Sequence, residues 1–285
     1  IVKLLIDKGA DVNTQGGKYG NALQAASFFG HQEIIKLLID KGADVNAQGG
    51  KYGNALQAAS FFGRQEIIKL LIDKGADVNA QGGQYGNALQ AASFFGYQEI
   101  DKLLIDKGAD VNTQGGQYGN ALQAASSEGH QEIVKLLIDK RADVNAQGGK
   151  YGNALQAALC EGHQEIVELL IDKRADVNAQ GGQYGNALQV ASSEGHQEIV
   201  KLLIDKGVDV NAQGGVLGNA LQAASYGGHQ EIVKLLIDKG GDVNAQGGFY
   251  ANALQAASIA GFEHIVKLLM ENGAVLDALP VSSNE

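Results

Sequence analysis

Two kinds of apolar run alternate along the chain. In one, Ile34, Ile35, Leu37, Leu38 and Ile39 recur at helical spacing and form a stripe wide enough to face two neighbours. In the other, Ala22, Leu23, Ala25 and Ala26 are mostly small, which lets a helix pack close to its neighbours. Polar residues punctuate both. Asn21 is a good N-cap for the first helix, and Gln24, three residues on, sits where a capping-box partner belongs. Gly30 ends that helix as glycine does at C′. The second helix is predicted over residues 32–41, with Glu33 early and Lys36 and Lys41 later, as the helix dipole favours. Gly42 stops it. Asp44, Asn46, Gly49 and Gly50 then supply turn chemistry, which predicts a short hairpin or β-turn finger over residues 43–53.

This pattern recurs every 33 residues, with copies beginning at Gly9, Gly42, Gly75, Gly108, Arg141, Arg174, Gly207, Gly240 and Gly273. A fixed period of that length means stacked supersecondary units, each too small to bury a core alone. The expected organisation is a partial repeat over residues 1–8 (second helix only), eight repeats over 9–273, and a cap or tail over 274–285 that carries Pro280. The chain opens inside a repeat and reads as a fragment of a longer protein. A monomer is expected, with an open N-terminal end able to stack on another copy.

The segments Gly42-Ala43-Asp44-Val45-Asn46-Ala47, Ala58-Ala59, Gly63, Glu66-Ile67-Ile68 and Leu70-Leu71-Ile72, repeated eight times, resemble the ankyrin pattern over essentially the whole chain. The resemblance implies an all-α ankyrin solenoid of helix-turn-helix units with β-hairpin or turn fingers. Two departures are consistent. Asn54-Ala55-Leu56-Gln57 stands where the family pattern has Thr-Pro-Leu-His, and Gly49-Gly50-Lys51-Tyr52-Gly53 replaces the usual finger. Asn can cap in place of Thr, and Gln can hydrogen-bond in place of His. This dialect is similar to ankyrin arrays of filamentous fungi, which often form the C-terminal sensor of large NACHT-type signalling proteins related to heterokaryon incompatibility and innate immunity.

Among near-identical copies, constant positions hold the scaffold and varying ones are free to choose a partner. The most variable pair follows the Ala-Ala-Ser of the first helix: Phe28-Phe29, Phe61-Phe62, Phe94-Phe95, Ser127-Glu128, Cys160-Glu161, Ser193-Glu194, Tyr226-Gly227 and Ile259-Ala260. The resemblance implies that these positions lie on or beside a concave, ligand-contacting groove. Three Phe-Phe pairs would form an aromatic ladder, followed by an acidic stretch and a mildly apolar end; aromatic residues there are typical anchors. One ring of each pair packs inside, against the second helix or the next unit, or both do, or both remain outside. The finger supplies a second variable position: Lys18, Lys51, Gln84, Gln117, Lys150, Gln183, Val216 and Phe249. Tyr19 and its equivalents hardly vary, which points to packing.

Charge and chemistry narrow the function. A net charge of −10 disfavours nucleic acid, whose phosphates need clustered Lys and Arg. No apolar run approaches the ~20 residues that span a bilayer. A lone cysteine, Cys160, excludes an intramolecular disulfide and fits a reducing compartment, the cytoplasm or the nucleus. His31, His130, His163, His196 and His229 occupy one repeat position. They therefore stand about 10 Å apart, whereas zinc needs ligands within about 2 Å of one point. The Gly-Gly pairs precede no Lys-Ser or Lys-Thr, so they are not phosphate loops. No cofactor and no catalytic constellation is expected. The reading is a protein-binding scaffold, the recognition region of a larger fungal signalling protein; the alternative is an elastic spacer with no fixed ligand. Two anomalies carry further expectations. Asp101 stands in an apolar stripe and is expected to reach solvent or to mark the weakest repeat. Arg141 and Arg174 replace the helix-stopping glycine and are expected in the left-handed region.

Overall fold

The computed structural model describes residues 1–182 and 185–275. The described residues form seventeen helices, and the chain divides into two compact bodies, Ile1–Ala158 and Leu159–Glu285. In the first body α1 (Val2–Asp7) is followed by the pairs α2/α3 (Ala22–Phe29, Gln32–Asp40), α4/α5 (Ala55–Phe61, Gln65–Asp73), α6/α7 (Ala88–Phe94, Gln98–Asp106) and α8/α9 (Ala121–Ser127, Gln131–Asp139). Helix α10 (Ala154–Cys160) holds the boundary residues. The second body contains α11 (Gln164–Asp172), α12/α13 (Ala187–Glu194, Gln197–Asp205), α14/α15 (Ala220–Gly227, Gln230–Asp238) and α16/α17 (Ala253–Ala260, Glu263–Glu271).

Small residues bring first helices together: α2, α4, α6 and α8 pack in sequence, as do α12, α14 and α16. The core repeats with them. Leu23, Leu56, Leu89 and Leu122 from first helices meet Ile35, Ile68 and Leu38, Leu71, Leu104 and Leu137 from second helices, all essentially inaccessible to solvent. The second helices α3, α5, α7, α9, α11, α13 and α15 end one residue before the lysine, at Asp40 in the first pair with Lys41 as its cap, and α17 ends at Glu271 with Asn272 as its cap. The finger is a turn closed by one antiparallel bridge, such as Gly49↔Gly53. At α1 no residue is buried, and Ile1, Leu4 and Leu5 are exposed.

Polar residues join one repeat to the next. Asn54 Oδ1 accepts the Gln57 N–H at 2.8 Å, while Gln57 Oε1 accepts the Asn54 N–H at 2.7 Å. The same Gln57 amide group donates onward to the carbonyls of Ala80 (3.0 Å) and Gly86 (3.0 Å) in the following finger. Gln189 does the same in the second body, toward Ala212 and Gly218. A second ladder runs along the exposed turns. Asn46 Nδ2 donates to Gly75 O at 3.1 Å, and Asn46 Oδ1 accepts the Asp77 N–H at 2.8 Å. Glycine is required at two finger positions. A Cβ on Gly53 would overlap Gln57 Oε1, and one on Gly50 would lie 2.5 Å from the backbone of Tyr19 in the preceding finger. Ala251 occupies the position equivalent to Gly53, with φ +63°, and there Asn252 caps its helix without a reciprocal bond from Gln255.

Arg141 and Arg174 adopt φ of 69° and 68°, as expected of residues standing where glycine stops the other helices. A side chain in that region costs about 1 kcal/mol. Arg141→Gly is therefore expected to stabilise the chain by up to about 1 kcal/mol, less the entropy a glycine adds to the unfolded state. Urea unfolding at constant m-value measures it.

Asp101 does not reach solvent. It is wholly buried at the position that Ile35, Ile68 and Val134 occupy elsewhere. Ser93 Oγ donates to its Oδ1 at 2.9 Å, and Oδ2 has no partner. Burial pushes the carboxyl well above its usual range, opposed only by the Ser93 hydrogen bond. The packing of α6 on α7 leaves no route outward, because Asp101 faces the interior in the first turn of α7.

Candidate functional site

The first helix ends and the finger tips meet on one face of the first body, because each Gly-Gly turn lets a finger lie against its predecessor. Backbone bonds link the tips directly. The N–H of Lys51 donates to Lys18 O, Gln84 to Lys51 O, Gln117 to Gln84 O and Lys150 to Gln117 O, at 3.0–3.1 Å. This sets the variable finger residues in a row, in which Gln84 Nε2 also donates to Gln117 Oε1 at 3.3 Å.

Beside that row runs an aromatic ribbon. Phe28 lies between Tyr19 (ring centroids 4.7 Å apart) and Tyr52 (5.0 Å). Phe61 lies between Tyr52 (4.9 Å) and Tyr85 (5.2 Å), and Phe94 between Tyr85 (5.2 Å) and Tyr118 (4.5 Å). The second ring of a pair reaches back to the preceding repeat: Phe62 to Phe28 at 4.0 Å and Phe95 to Phe61 at 4.5 Å. Most contacts are edge-on or tilted, the geometry that aromatic quadrupoles favour. The Phe pairs therefore adopt none of the simple arrangements, neither one ring inside, nor both inside, nor both outside. Phe28, Phe61, Phe62, Phe94 and Phe95 are all half-buried, each offering part of its ring, and Phe29 is 49% exposed. Tyr52 and Tyr118 are buried, as a packing role requires. Burial raises the Tyr85 hydroxyl above its ordinary range, with smaller contributions from Tyr52 and Glu128.

Lysines border the ribbon. Lys18 lies 5.6 Å from the Tyr19 ring centre and Lys51 5.7 Å from that of Tyr52. Lys150 stands over two rings, Tyr118 at 4.9 Å and Tyr151 at 4.3 Å. These are cation–π distances. On the far border Arg64 stands against Gly30, Tyr97 against Gly63 and His130 against Gly96, each covering the turn glycine of the preceding repeat. His130 Nε2 lies 2.9 Å from Phe94 O, so this histidine position closes the joint between repeats. Ser127 is buried, and its hydroxyl donates to Ala124 O; it presents no side-chain surface for a partner, whereas Glu128 is exposed.

In the second body Glu161 and Glu194 are exposed and Cys160 and Ser193 half-buried. His229 Nε2 lies 2.8 Å from Ser193 O. Tyr226, at the position of Phe28, stacks on Tyr250 of the next finger at 4.4 Å, with Leu217 where Tyr19 stands in the first repeat. The Tyr250 hydroxyl is raised by its hydrogen bond to Tyr226 and secondarily by burial. Phe249 is 78% exposed beside Tyr250, and Val216 and Ile259 are also exposed, so apolar surface extends beyond Tyr226. Gln183 lies outside the described residues. Among the described residues no three His, Cys, Asp or Glu side chains form a metal-binding group, and no helix is long and apolar enough to cross a membrane.

The finger tyrosines and the Arg64/Tyr97/His130 position also belong to this surface, which their sequence pattern does not signal. Their near-constancy or turn position signals packing, and their participation follows only from the approach of successive repeats. A family model described as ankyrin repeats (3 copies) matches residues 1–82, 49–115, 80–148, 147–214 and 214–279. No curated protein matches the chain.

Proposed function

The chain belongs to the ankyrin repeat family, generally a family of protein–protein interaction modules, and on that footing we propose that it is a non-catalytic scaffold holding a protein partner. The partner's site in the first body is the ribbon of Phe28, Phe29, Phe61, Phe62, Phe94 and Phe95 with the finger tips Lys18, Lys51, Gln84, Gln117 and Lys150. In the second body the corresponding positions are Glu161, Glu194 and Tyr226, with Cys160 and Ser193 partly covered. One observation carries the reading: aromatic rings that vary between copies remain partly open on a face whose scaffold does not vary. Partly open aromatic clusters are characteristic anchors of interfaces. The sequence dialect supports placing this scaffold as the recognition region of a fungal NACHT-type signalling protein, in the cytoplasm. The repeats are read as 9–273, with 1–8 a partial repeat and 274–285 a tail. A monomer is expected in solution, with exposed Ile1, Leu4 and Leu5 as the surface on which a second copy could stack.

A pull-down from fungal extract tests the site. The second rings are the ones to change, since Phe28, Phe61 and Phe94 are wedged between tyrosines. The variant Phe29→Glu/Phe62→Glu/Phe95→Glu introduces the residue that the chain itself carries at Glu128. It is expected to keep the parent's circular dichroism and lose the captured partner. Undiminished capture by a folded variant would remove the ribbon from the interface. Failure of the parent to retain any protein would favour the spacer.

A further inference from the structure

The lysines of the first body differ in their surroundings: those at the helix ends, Lys41, Lys74 and Lys107, carry no ion pair among the described residues but follow Asp40, Asp73 and Asp106 directly in the chain. The mid-helix lysines of α3, α5, α7 and α9 are neutralised in place: Lys36, Lys69, Lys102 and Lys135 pair with Glu33, Glu66, Glu99 and Glu132 at 2.7–2.9 Å. Among the described residues no carboxylate pairs with Lys18, Lys51, Lys150 or Arg64. From each finger tip to the end of the first helix that follows, this body has no carboxylate, and Glu128 stands just past it as the cap of α8; its other acids lie in second helices and the turns after them. A protein of net charge −10 thus keeps a locally cationic border along its aromatic ribbon. The cations are uneven, with Lys18, Lys51 and Arg64 toward one end, the neutral Gln84–Gln117 pair in the middle, and Lys150 and Glu128 of opposite sign at the other.

The spacing of the rings adds a length. Tyr19 and Tyr52 stand 6.3 Å apart, Tyr85 and Tyr118 5.9 Å, and Tyr118 and Tyr151 6.4 Å. Alternate side chains of an extended chain stand about 6.6 Å apart, which matches the 6.3 and 6.4 Å intervals better than the 5.4 Å pitch of a helix does, while the 5.9 Å interval lies between the two.

We propose that the aromatic face of the first body takes an extended acidic peptide segment of the partner, with apolar side chains at alternate positions and its carboxylates gathered at the Lys18–Lys51–Arg64 end. The inference rests on the protein-binding reading above and gives the partner's chemistry. Apolar side chains enter between the half-open rings, and carboxylates meet ammonium groups left unpaired by the fold. Complementary charge of this kind sets register and partner choice more than total affinity.

The probe is a fluorescein-labelled peptide, Glu-Asp-Glu-Leu-Thr-Leu-Thr-Leu-Thr-Leu, with one control carrying Gln-Asn-Gln and another Lys-Lys-Lys in place of the acids. Anisotropy against the full chain at low salt is expected to show the acidic peptide binding about tenfold or more tightly than the neutral one. The margin should shrink in 0.5 M salt, where exposed charges are screened beyond about 4–5 Å. Lys18→Glu/Lys51→Glu is expected to remove that margin, Lys150→Glu to reduce it less, and the helix control Lys69→Glu to leave it unchanged. All four substitutions lie on exposed or half-exposed side chains. Equal binding of the three peptides, or a margin indifferent to Lys18 and Lys51, would overturn the acidic assignment. If such charge-blind binding still vanished in Phe29→Glu/Phe62→Glu/Phe95→Glu, the protein-binding reading would stand without it. No binding of any peptide would overturn the extended-segment inference, and the pull-down would then judge the wider reading alone.

Discussion

Asp101→Val is expected to stabilise the chain by about 2–4 kcal/mol at pH 7 and by far less near pH 4. Valine is what the chain uses at Val134, Val167, Val200 and Val233 in the same place. The parent buries a carboxyl with one hydrogen bond, from Ser93, and an oxygen that meets nothing. The pH dependence follows from the direction of the shift. The folded carboxyl titrates well above 3.8, the unfolded one near it, so the folded state holds the proton more tightly. Below the unfolded value both states are protonated and the penalty of ionisation is absent. As pH rises above that value the unfolded chain releases its proton first, and folding weakens by about 1.4 kcal/mol per pH unit until the folded carboxyl also ionises. All other carboxylates are common to both proteins, so the difference between their urea midpoints from pH 4 to 8 isolates Asp101. A difference constant over that range would show that valine acts by packing alone. Because each repeat is held by its neighbours, hydrogen exchange should locate the gain in α6 and α7.

Gln57→Ala is expected to cost about 3 kcal/mol. Gln57 is 4% exposed and connects three segments. Its carbonyl closes the cap on the Asn54 N–H, and its amide group bonds the carbonyls of Ala80, Gly82 and Gly86. Losing a cap costs about 1 kcal/mol, and stranding buried backbone acceptors about 1–3 kcal/mol more. Alanine also leaves a gap beside Gly53, the residue whose missing Cβ makes room for the glutamine. Exposed Gln32→Ala is the control and should change stability by less than about 0.5 kcal/mol. Since the bonds reach the following finger, the variant should loosen residues 80–86 as well as its own repeat. A loss confined to α4 would mean that the inter-repeat bonds contribute little. In a chain of near-neighbour interfaces, such a break would also misplace the Lys51 and Gln84 tips, so partner capture should weaken along with stability.

Much of the chain could be read without coordinates. The 33-residue period, the apolar stripe of Ile34 to Ile39 and the Asn21–Gln24 spacing are local patterns, and local patterns dictate where short helices begin, which face they bury and where they stop. That is why the paired helices, the capping box and the left-handed Arg141 and Arg174 were foreseeable. What a side chain meets in the next repeat is another matter, because the sequence states the interval of 33 residues but not the approach of one copy to another. Only the tertiary structure made Gln57 a bridge between repeats, set Lys18 beside Lys51, wedged Phe28 between Tyr19 and Tyr52, and buried Ser127. It also decided against the solvent-reaching Asp101. A charged residue in an apolar stripe signals a cost, but whether that cost is relieved by exposure or borne as a raised carboxyl depends on how closely the neighbouring helix packs, and α6 lies directly over it.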